Sequence, residues 1–236
     1  MFIDIHNHLI YGVDDGPKTF ATTQKMLAAA CRDKVEQIIT TPHITPGIRE
    51  FPMKTYREHL KQAQEWCEEN ELPIALHSGS EILYTEATAR MLDDGRVPTL
   101  CDTPYVLVEF LPTDSYHRLT HAADELCGAG YQPIFAHVER YECLKHADQI
   151  RELREQYRVQ IQVNAGTMLE KMGFFRRRRL MKLFREDLVD YLSTDSHNLN
   201  TRRTCMRACR KAVAGQIDRA QLKRLMHDNA LEIIEY

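Results

Sequence analysis

Seven short apolar runs, each followed by a longer amphipathic stretch, constrain what this chain can fold into. The runs are Phe2–Ile5, Gln37–Thr40, Ile74–His77, Tyr105–Val108, Pro133–Ala136, Gln160–Val163 and Tyr191–Ser193. Between them, helical spacing recurs over Thr22–Arg32, Lys54–Asn70, Thr85–Leu92, Tyr116–Ala129, Ala147–Tyr157 and Arg176–Arg185. Two further helices, Thr201–Val213 and Arg219–His227, follow the last run, with a short one near the C-terminus. Strands alternating with helices predict an α/β fold whose parallel sheet is built by right-handed crossovers. No Pro/Gly/Ser linker, repeat or low-complexity tract divides the series, so residues 1–236 are expected to form one domain.

The ionisable residues fall at one place in that pattern. His6 follows the first run, His43 lies just past the second, and Glu81 follows the third. Glu109 ends the fourth, His137 the fifth and Asp195 the seventh. In a closed βα barrel the C-terminal strand ends share one face, so these side chains would meet at one mouth. Residues two apart on a strand point the same way, so His6 with His8, and Asp195 with His197, can each aim two groups at one point. Imidazole together with carboxylate suits divalent first-row metals.

Composition removes several alternatives. The formal net charge is −3 with both signs interspersed, which argues against a nucleic-acid groove. No apolar run approaches the ~18 residues of a membrane helix, and the first residues lead straight into a strand, not a signal peptide. Seven scattered cysteines read as reduced thiols. A cytoplasmic protein without membrane insertion is expected.

Several motifs converge on one group of enzymes. They are Asp4-Ile5-His6-Asn7-His8, Val13-Asp14-Asp15-Gly16-Pro17-Lys18, Thr41-Pro42-His43, Gly79-Ser80-Glu81-Ile82, Glu109-Phe110, His137-Val138-Glu139-Arg140-Tyr141 and Asp195-Ser196-His197-Asn198-Leu199. In these the chain resembles the PHP (polymerase and histidinol phosphatase) superfamily. Within it, the likeness is to the manganese-dependent protein-tyrosine phosphatases of bacterial capsule and exopolysaccharide loci. The resemblance implies a distorted seven-stranded (β/α)7 PHP barrel holding three divalent metal ions. Mn2+ is the favoured ion, and the same nitrogen and oxygen donors also accept Fe, Co, Zn or Mg. By that resemblance His6, His8, Glu81 and Asp195 would hold the first metal. Glu109 and His137 would hold the second, sharing Glu81, and Asp15, His43 and His197 the third. Asp14 and Asp15 are adjacent, and only the Asp-Gly-Pro turn of the family selects Asp15.

The implied reaction is hydrolysis of protein phosphotyrosine by a metal-bound hydroxide, with a bacterial tyrosine kinase as the phosphoprotein partner and polysaccharide biosynthesis as the process regulated. Arg140 is the first candidate to grip phosphate oxygens, against a structural salt bridge to Glu139 or Asp195. Arg202 is the second, with Arg203 its neighbouring alternate. A cysteine nucleophile is disfavoured, because no cysteine is followed six residues later by arginine. Histidinol-phosphate hydrolysis and a non-catalytic PHP scaffold are the competing readings.

Other motifs receive plainer readings. His117 with His121 fits a surface helix, and Cys205 with Cys209 a packed helical face. His77 shares the parity of Gly79 and Glu81, but a role supporting the metal ligands is the minority reading. Arg176-Arg177-Arg178-Arg179 reads first as a solvated helix start, with attraction of an acidic phosphopeptide as the alternative. Phe174 and Phe175 are expected to pack in the core, with an aromatic shelf for a tyrosine ring as the alternative.

Overall fold

Every predicted apolar run becomes a strand, but two of them continue as separate segments past a break. The structure, a computed structural model, describes residues 1–236. Its strands are β1 (Phe2–Asn7), β2 (Val35–Thr40), β3 (His43–Ile44), β4 (Ala75–His77), β5 (Glu81–Leu83), β6 (Tyr105–Glu109), β7 (Gln132–Phe135), β8 (Gln160–Asn164) and β9 (Tyr191–Ser193). The helices are α1 (Phe20–Arg32), α2 (Met53–Glu69), α3 (Thr88–Asp93), α4 (Tyr116–Gly128), α5 (Ala147–Tyr157), α6 (Phe174–Arg185), α7 (Met206–Val213), α8 (Arg219–Lys223) and α9 (Asn229–Ile234).

All strand pairs are parallel, in the orders β1-β2-β4 and β3-β5-β6-β7-β8-β9. The first break has a covalent cause, because Pro42 has no N–H to donate between β2 and β3. The second lies at Ser78-Gly79-Ser80, where Gly79 passes so close to its neighbours that a Cβ would come 3.0 Å from Ile39 and 3.1 Å from the Thr40 carbonyl. The curl of the sheet brings β9 beside β1: Asp195 N–H donates to the His6 carbonyl at 2.8 Å, and His8 N–H to that of Ser196 at 2.9 Å.

Parity along the strands separates two apolar layers. Ile3, Ile5, Ile39, Tyr105, Leu107, Ile134, Ala136 and Tyr191 form a cluster inside the curl, closed below by Ala230 and Ile233 of α9. Alternate residues such as Ile38, Val106, Val108, Phe135, Ile161 and Val163 face the helices in the larger core. The helices present apolar faces at i, i+3, i+4 and i+7: Thr23, Met26, Leu27 and Ala30 on α1, and Leu119, Ala122, Ala123 and Leu126 on α4. Thr19 and Ser115 cap these two helices by accepting the Thr22 and Arg118 N–H groups.

Three expectations are corrected. The helix predicted from Thr201 begins at Met206, because the Arg202 carbonyl is held in a loop by the N–H groups of His197 and Asn198. The helix predicted over Arg219–His227 ends at Lys223 and passes into a wider turn over Arg224–Asp228. Phe174 and Phe175 are not core residues: α6 starts two residues earlier than expected and leaves them exposed, while Leu180, Met181, Leu183 and Phe184 supply the buried face. Cys205 and Cys209 are buried as expected, and His121 sits on the surface beside Glu86. No helix is long and apolar enough to cross a membrane.

Candidate metal centre

Two residues beyond the apolar floor, the same strand faces turn ionisable. Tyr105 and Leu107 lie in the floor and Glu109 follows on β6, while Tyr191 lies in the floor and Asp195 stands four residues on, past β9. His6 closes on both flanks, with Nε2 3.1 Å from Glu81 Oε1 and 3.4 Å from Asp195 Oδ1. His8 Nε2 lies 3.2 Å from Glu81 Oε2 and 3.6 Å from Asp195 Oδ1. His137 Nε2 lies 2.8 Å from Glu81 Oε1 and 3.4 Å from Glu109 Oε2. His43 reaches Glu81 and Glu109 through Nδ1 at 2.9 and 3.2 Å, and Asp15 through Nε2 at 3.5 Å. His197 Nε2 is 3.2 Å from the same Asp15 oxygen. All the ligand candidates named from the sequence therefore meet in one constellation with Glu81 at its middle.

Donor atoms within 4.8 Å of one another fall into three groups: His6, His8, Glu81 and Asp195; His8, Asp15, His43 and His197; and His43, Glu81 and Glu109. The first matches the set implied by the resemblance. In the second His8 joins the expected residues, and in the third His43 occupies the side of the carboxylates opposite His137.

These groups fit a cation better than they fit each other. His6 Nε2, His8 Nε2 and Glu81 Oε2 are buried and have no hydrogen-bond partner. Leaving such atoms unpaired is costly, and a positive ion between them satisfies nitrogen lone pairs and carboxylate oxygens together. Three of the five imidazoles are oriented from behind: His6, His8 and His197, the last through Nδ1 on the Asp195 carbonyl at 3.0 Å. Asp14 Oδ2 accepts from His8 Nδ1 at 2.7 Å, and Gln162 Oε1 accepts from His6 Nδ1 at 3.3 Å and from the backbone N–H of His137 at 2.7 Å. Such partners fix which nitrogen faces the metal. Gln162 Nε2 donates to Asn164 Oδ1 at 2.8 Å, and Asn164 Nδ2 to Asp195 Oδ2 at 2.7 Å, so one polar chain ties three candidate ligands together.

Without a metal, the carboxylates set the charge of the rings. Burial pulls the His8 pKa down, but the hydrogen bond to Asp14 and the nearby negative charge of Glu81 outweigh it and raise it to about 9. Burial likewise opposes Glu109 and Glu81 at His137, raised to about 9, and at His43, raised to about 11. His197 is lowered to about 4 by burial and by the charge of His8. Burial would raise Glu81, yet the charge of His6 and the hydrogen bond from His137 hold it well below the carboxylate range.

Two of the chain's eight non-glycine residues with positive φ belong to this site. His137 has φ 35° and ψ 49°, and Asp195 has φ 53°. A non-glycine residue pays about 1–3 kcal/mol for this left-handed region, and such residues concentrate at functional sites. The Asp-Asp-Gly-Pro turn has a steric basis: a Cβ on Gly16 would lie 2.2 Å from the His8 carbonyl oxygen. Its N–H donates to Asp14 Oδ1 at 2.9 Å, which holds Asp14 under His8 and leaves Asp15 facing His43 and His197.

Two guanidiniums flank the cluster on Asp195. Arg140 Nη2 lies 3.0 Å from Oδ2 and Arg202 Nη2 2.6 Å from Oδ1, and both side chains stay more than a third exposed. Arg203 does not share these contacts; with Arg32 and Leu199 it lines a cavity of ≈410 Å³ between α1 and α7. His77 bonds Gln37 at 2.9 Å and touches none of the candidate ligands. Sequence reasoning missed Gln162 and Asn164. The available signal was polar-apolar alternation in Gln160-Ile161-Gln162-Val163-Asn164, which gives the sixth run a polar interior face.

A family model of capsular polysaccharide synthesis, CpsB/CapC, matches residues 2–235. The chain belongs to the CpsB/CapC family. It is 31% identical over 238 residues to tyrosine-protein phosphatase CpsB of Streptococcus pneumoniae, covering 98% of each chain. It is 27% identical to tyrosine-protein phosphatase YwqE of Bacillus subtilis (strain 168), covering 85% of this chain and 79% of that one. A chain from the crystal structures of YwqE and S. pneumoniae CpsB, described as metal-dependent tyrosine phosphatases, superposes with a TM-score of 0.87 at 24% identity. That match covers 99% of this chain and 94% of the other. The fold is also shared with histidinol phosphate phosphatase of Lactococcus lactis, with a TM-score of 0.60 at 16% identity over 94% and 92% of the two chains. The CpsB/CapC fold is thus a mixed α/β fold around a curled parallel sheet.

Proposed function

We propose that this chain is a metal-dependent tyrosine-protein phosphatase acting in capsular polysaccharide synthesis. The observation that carries the reading is the convergence of five histidines and four carboxylates, with buried, unpartnered His6 Nε2, His8 Nε2 and Glu81 Oε2 among them, in a CpsB/CapC chain.

In this reading residues 1–236 form one distorted (β/α)7 barrel of PHP type, with β2/β3 and β4/β5 each counted as one interrupted strand. Three metal ions, preferentially manganese, are held by His6, His8, Glu81 and Asp195, by Glu81, Glu109 and His137, and by Asp15, His43 and His197. Bound divalent cations supply positive charge against a phosphate dianion and acidify water. Arg140 and Arg202 bind phosphate oxygens with the guanidinium edges not used on Asp195, and Arg203 acts further out on the rim. Gln162, Asn164 and Asp14 keep the ligating nitrogens aimed. The protein works in the cytoplasm, and its substrate is a phosphotyrosine-bearing protein, namely a bacterial tyrosine kinase.

The test is phosphate release by manganese-loaded protein from a phosphotyrosyl peptide, a phosphoseryl peptide, histidinol phosphate and a dinucleotide. The expected result is release chiefly from the phosphotyrosyl peptide. Release only from histidinol phosphate would replace this reading with a small-molecule phosphatase, and no release from any would leave a scaffold.

A further inference from the structure

A cationic groove between α5 and α6 has no use in the scheme above. We propose that it docks an acidic stretch of the same polypeptide whose phosphotyrosine enters the metal centre; this rests on the phosphatase reading. From α6 come Phe175, Arg178, Arg179, Lys182 and Arg185, and from the segment before α5 comes Lys145, around a cleft of ≈500 Å³.

Elsewhere on the helices some basic residues sit beside a carboxylate, as Lys54 with Glu58 and Lys61 with Glu65 do, but no other helix carries four basic residues in a row. Arg177, Arg178, Arg179 and Arg185 pair with no carboxylate within 4.0 Å, and Arg176 meets only Glu170 at 3.6 Å. The carboxylates at the edge of the groove, Asp148 and Glu186, are engaged by Arg151, and Glu186 also pairs with Lys182 of the groove itself at 3.5 Å. That leaves Arg178, Arg179 and Arg185 as the unpaired cations of its α6 wall. Consecutive like charges repel one another, and at the start of a helix they also oppose its dipole. The run therefore works against the stability of α6 until an anion is added.

Phe175 lines the groove, and Phe174 beside it lines the neighbouring cleft with Arg177 and Arg178. Phe175 is 83% exposed, the highest value among the large apolar side chains, and its ring meets that of Phe174 edge-on with centroids 5.6 Å apart. A rigid aromatic pair beside unpaired guanidiniums suits side chains of a bound peptide. The groove also has the right position. Helices of a parallel sheet begin on the side where the strands end. The end of the groove formed by Lys145, Phe175, Arg178 and Arg179 therefore lies toward the metal centre, and the end formed by Lys182 and Arg185 runs away from it. Both connecting segments start at the centre: one carries Arg140, five residues before Lys145, and the other follows Asn164, which bonds Asp195. A concave cleft with cations on its walls favours a peptide over a flat lipid surface.

The experiment uses the manganese-loaded full chain and two variants, R178Q/R179Q/R185Q and F174S/F175S, with folding verified by circular dichroism. Binding is read by fluorescence anisotropy with an unphosphorylated tyrosine peptide flanked by glutamates and a matched peptide flanked by glutamines. Turnover is read on the phosphorylated forms and on 4-nitrophenyl phosphate. The expected result is about tenfold weaker binding of the glutamate peptide by the arginine variant, a similar rise in its KM, and aryl phosphate turnover unchanged. The wild type should also prefer the glutamate peptide, and lose that preference as salt rises. Equal binding of both peptides by the wild type, or equal binding of the glutamate peptide by wild type and arginine variant, overturns the proposal. So does loss of co-sedimentation with phosphatidylglycerol vesicles by the variants while peptide binding is unchanged, which would assign the groove to a membrane surface. If the wild type hydrolyses neither phosphopeptide, the phosphatase reading fails, while the anisotropy still decides whether the groove takes acidic segments.

Discussion

Asp14 and His8 form a carboxylate–imidazole pair at 2.7 Å, and the neighbouring Asp15 turns the other way, toward His43 and His197. Two adjacent aspartates thus do different work. Replacing Asp14 with Ala removes the group that orients His8 but no proposed ligand. Metal affinity is expected to fall about 10–100-fold, with activity recovered at high manganese. Replacing Asp15 with Ala removes a proposed ligand, and activity should not recover. Metal titration followed by phosphate release separates the two; identical behaviour of the variants would refute the division.

Arg140→Lys keeps the charge but loses the fork of donors that binds two oxygens at once. Turnover on a phosphotyrosyl peptide should fall at least about tenfold, since a charge-assisted hydrogen bond contributes roughly 1.5–3 kcal/mol. Bound manganese, measured by elemental analysis, should be unchanged. Undiminished turnover would remove Arg140 from the reaction.

The metal-free protein should lose stability as pH rises. His8 and His137 are raised to about 9 and His43 to about 11, above the ordinary value near 6.5, so their contribution is complete below about pH 6.5. The shares of His8 and His137 are lost as pH climbs through 9, and that of His43 only as it climbs through 11. Metal competes with the same protons, so manganese affinity should rise over that interval and binding should release protons. Calorimetry in buffers of different ionisation enthalpy measures the release, and thermal unfolding of the metal-free protein measures the decline. A metal-free Tm independent of pH between 6.5 and 9 would contradict the assignment.

Tyr56 braces the two strand breaks. Its buried hydroxyl accepts the Gly79 N–H at 2.9 Å and donates to the Thr40 carbonyl at 3.1 Å. Tyr56→Phe leaves both groups short of a partner and should cost about 1–3 kcal/mol in denaturant unfolding. A change below about 0.5 kcal/mol would show that the break holds without it.

Much of this site was visible in the sequence because its chemistry is carried by ionisable residues at strand ends. Glu109 and Asp195 announce themselves that way, and so do His6 and His137. Gln162 and Asn164 escaped because they bear no charge, and their value lies in the atoms they face across the curl. The division between Asp14 and Asp15 depends on how tightly Gly16 packs on the His8 carbonyl, which spacing does not encode. Phe174 and Phe175 look like core residues by composition. Only the starting point of α6 puts them outside, with the apolar face supplied by Leu180, Met181, Leu183 and Phe184. The two strand breaks were half legible: Pro42 is a plain interruption, whereas Gly79 matters through a close approach that folding alone creates.

The seam between β1 and β9 has a consequence for assembly. Asp4 and Thr194, bonded across it, are 190 positions apart in the chain. A contact of such range is among the costliest to close and is reached late in folding. His6 and Asp195 stand on opposite sides of that seam, so a cation lodged between them is a clasp as well as a reagent. In a growing polypeptide the cage for that ion has no complete form until nearly all of its residues have been made.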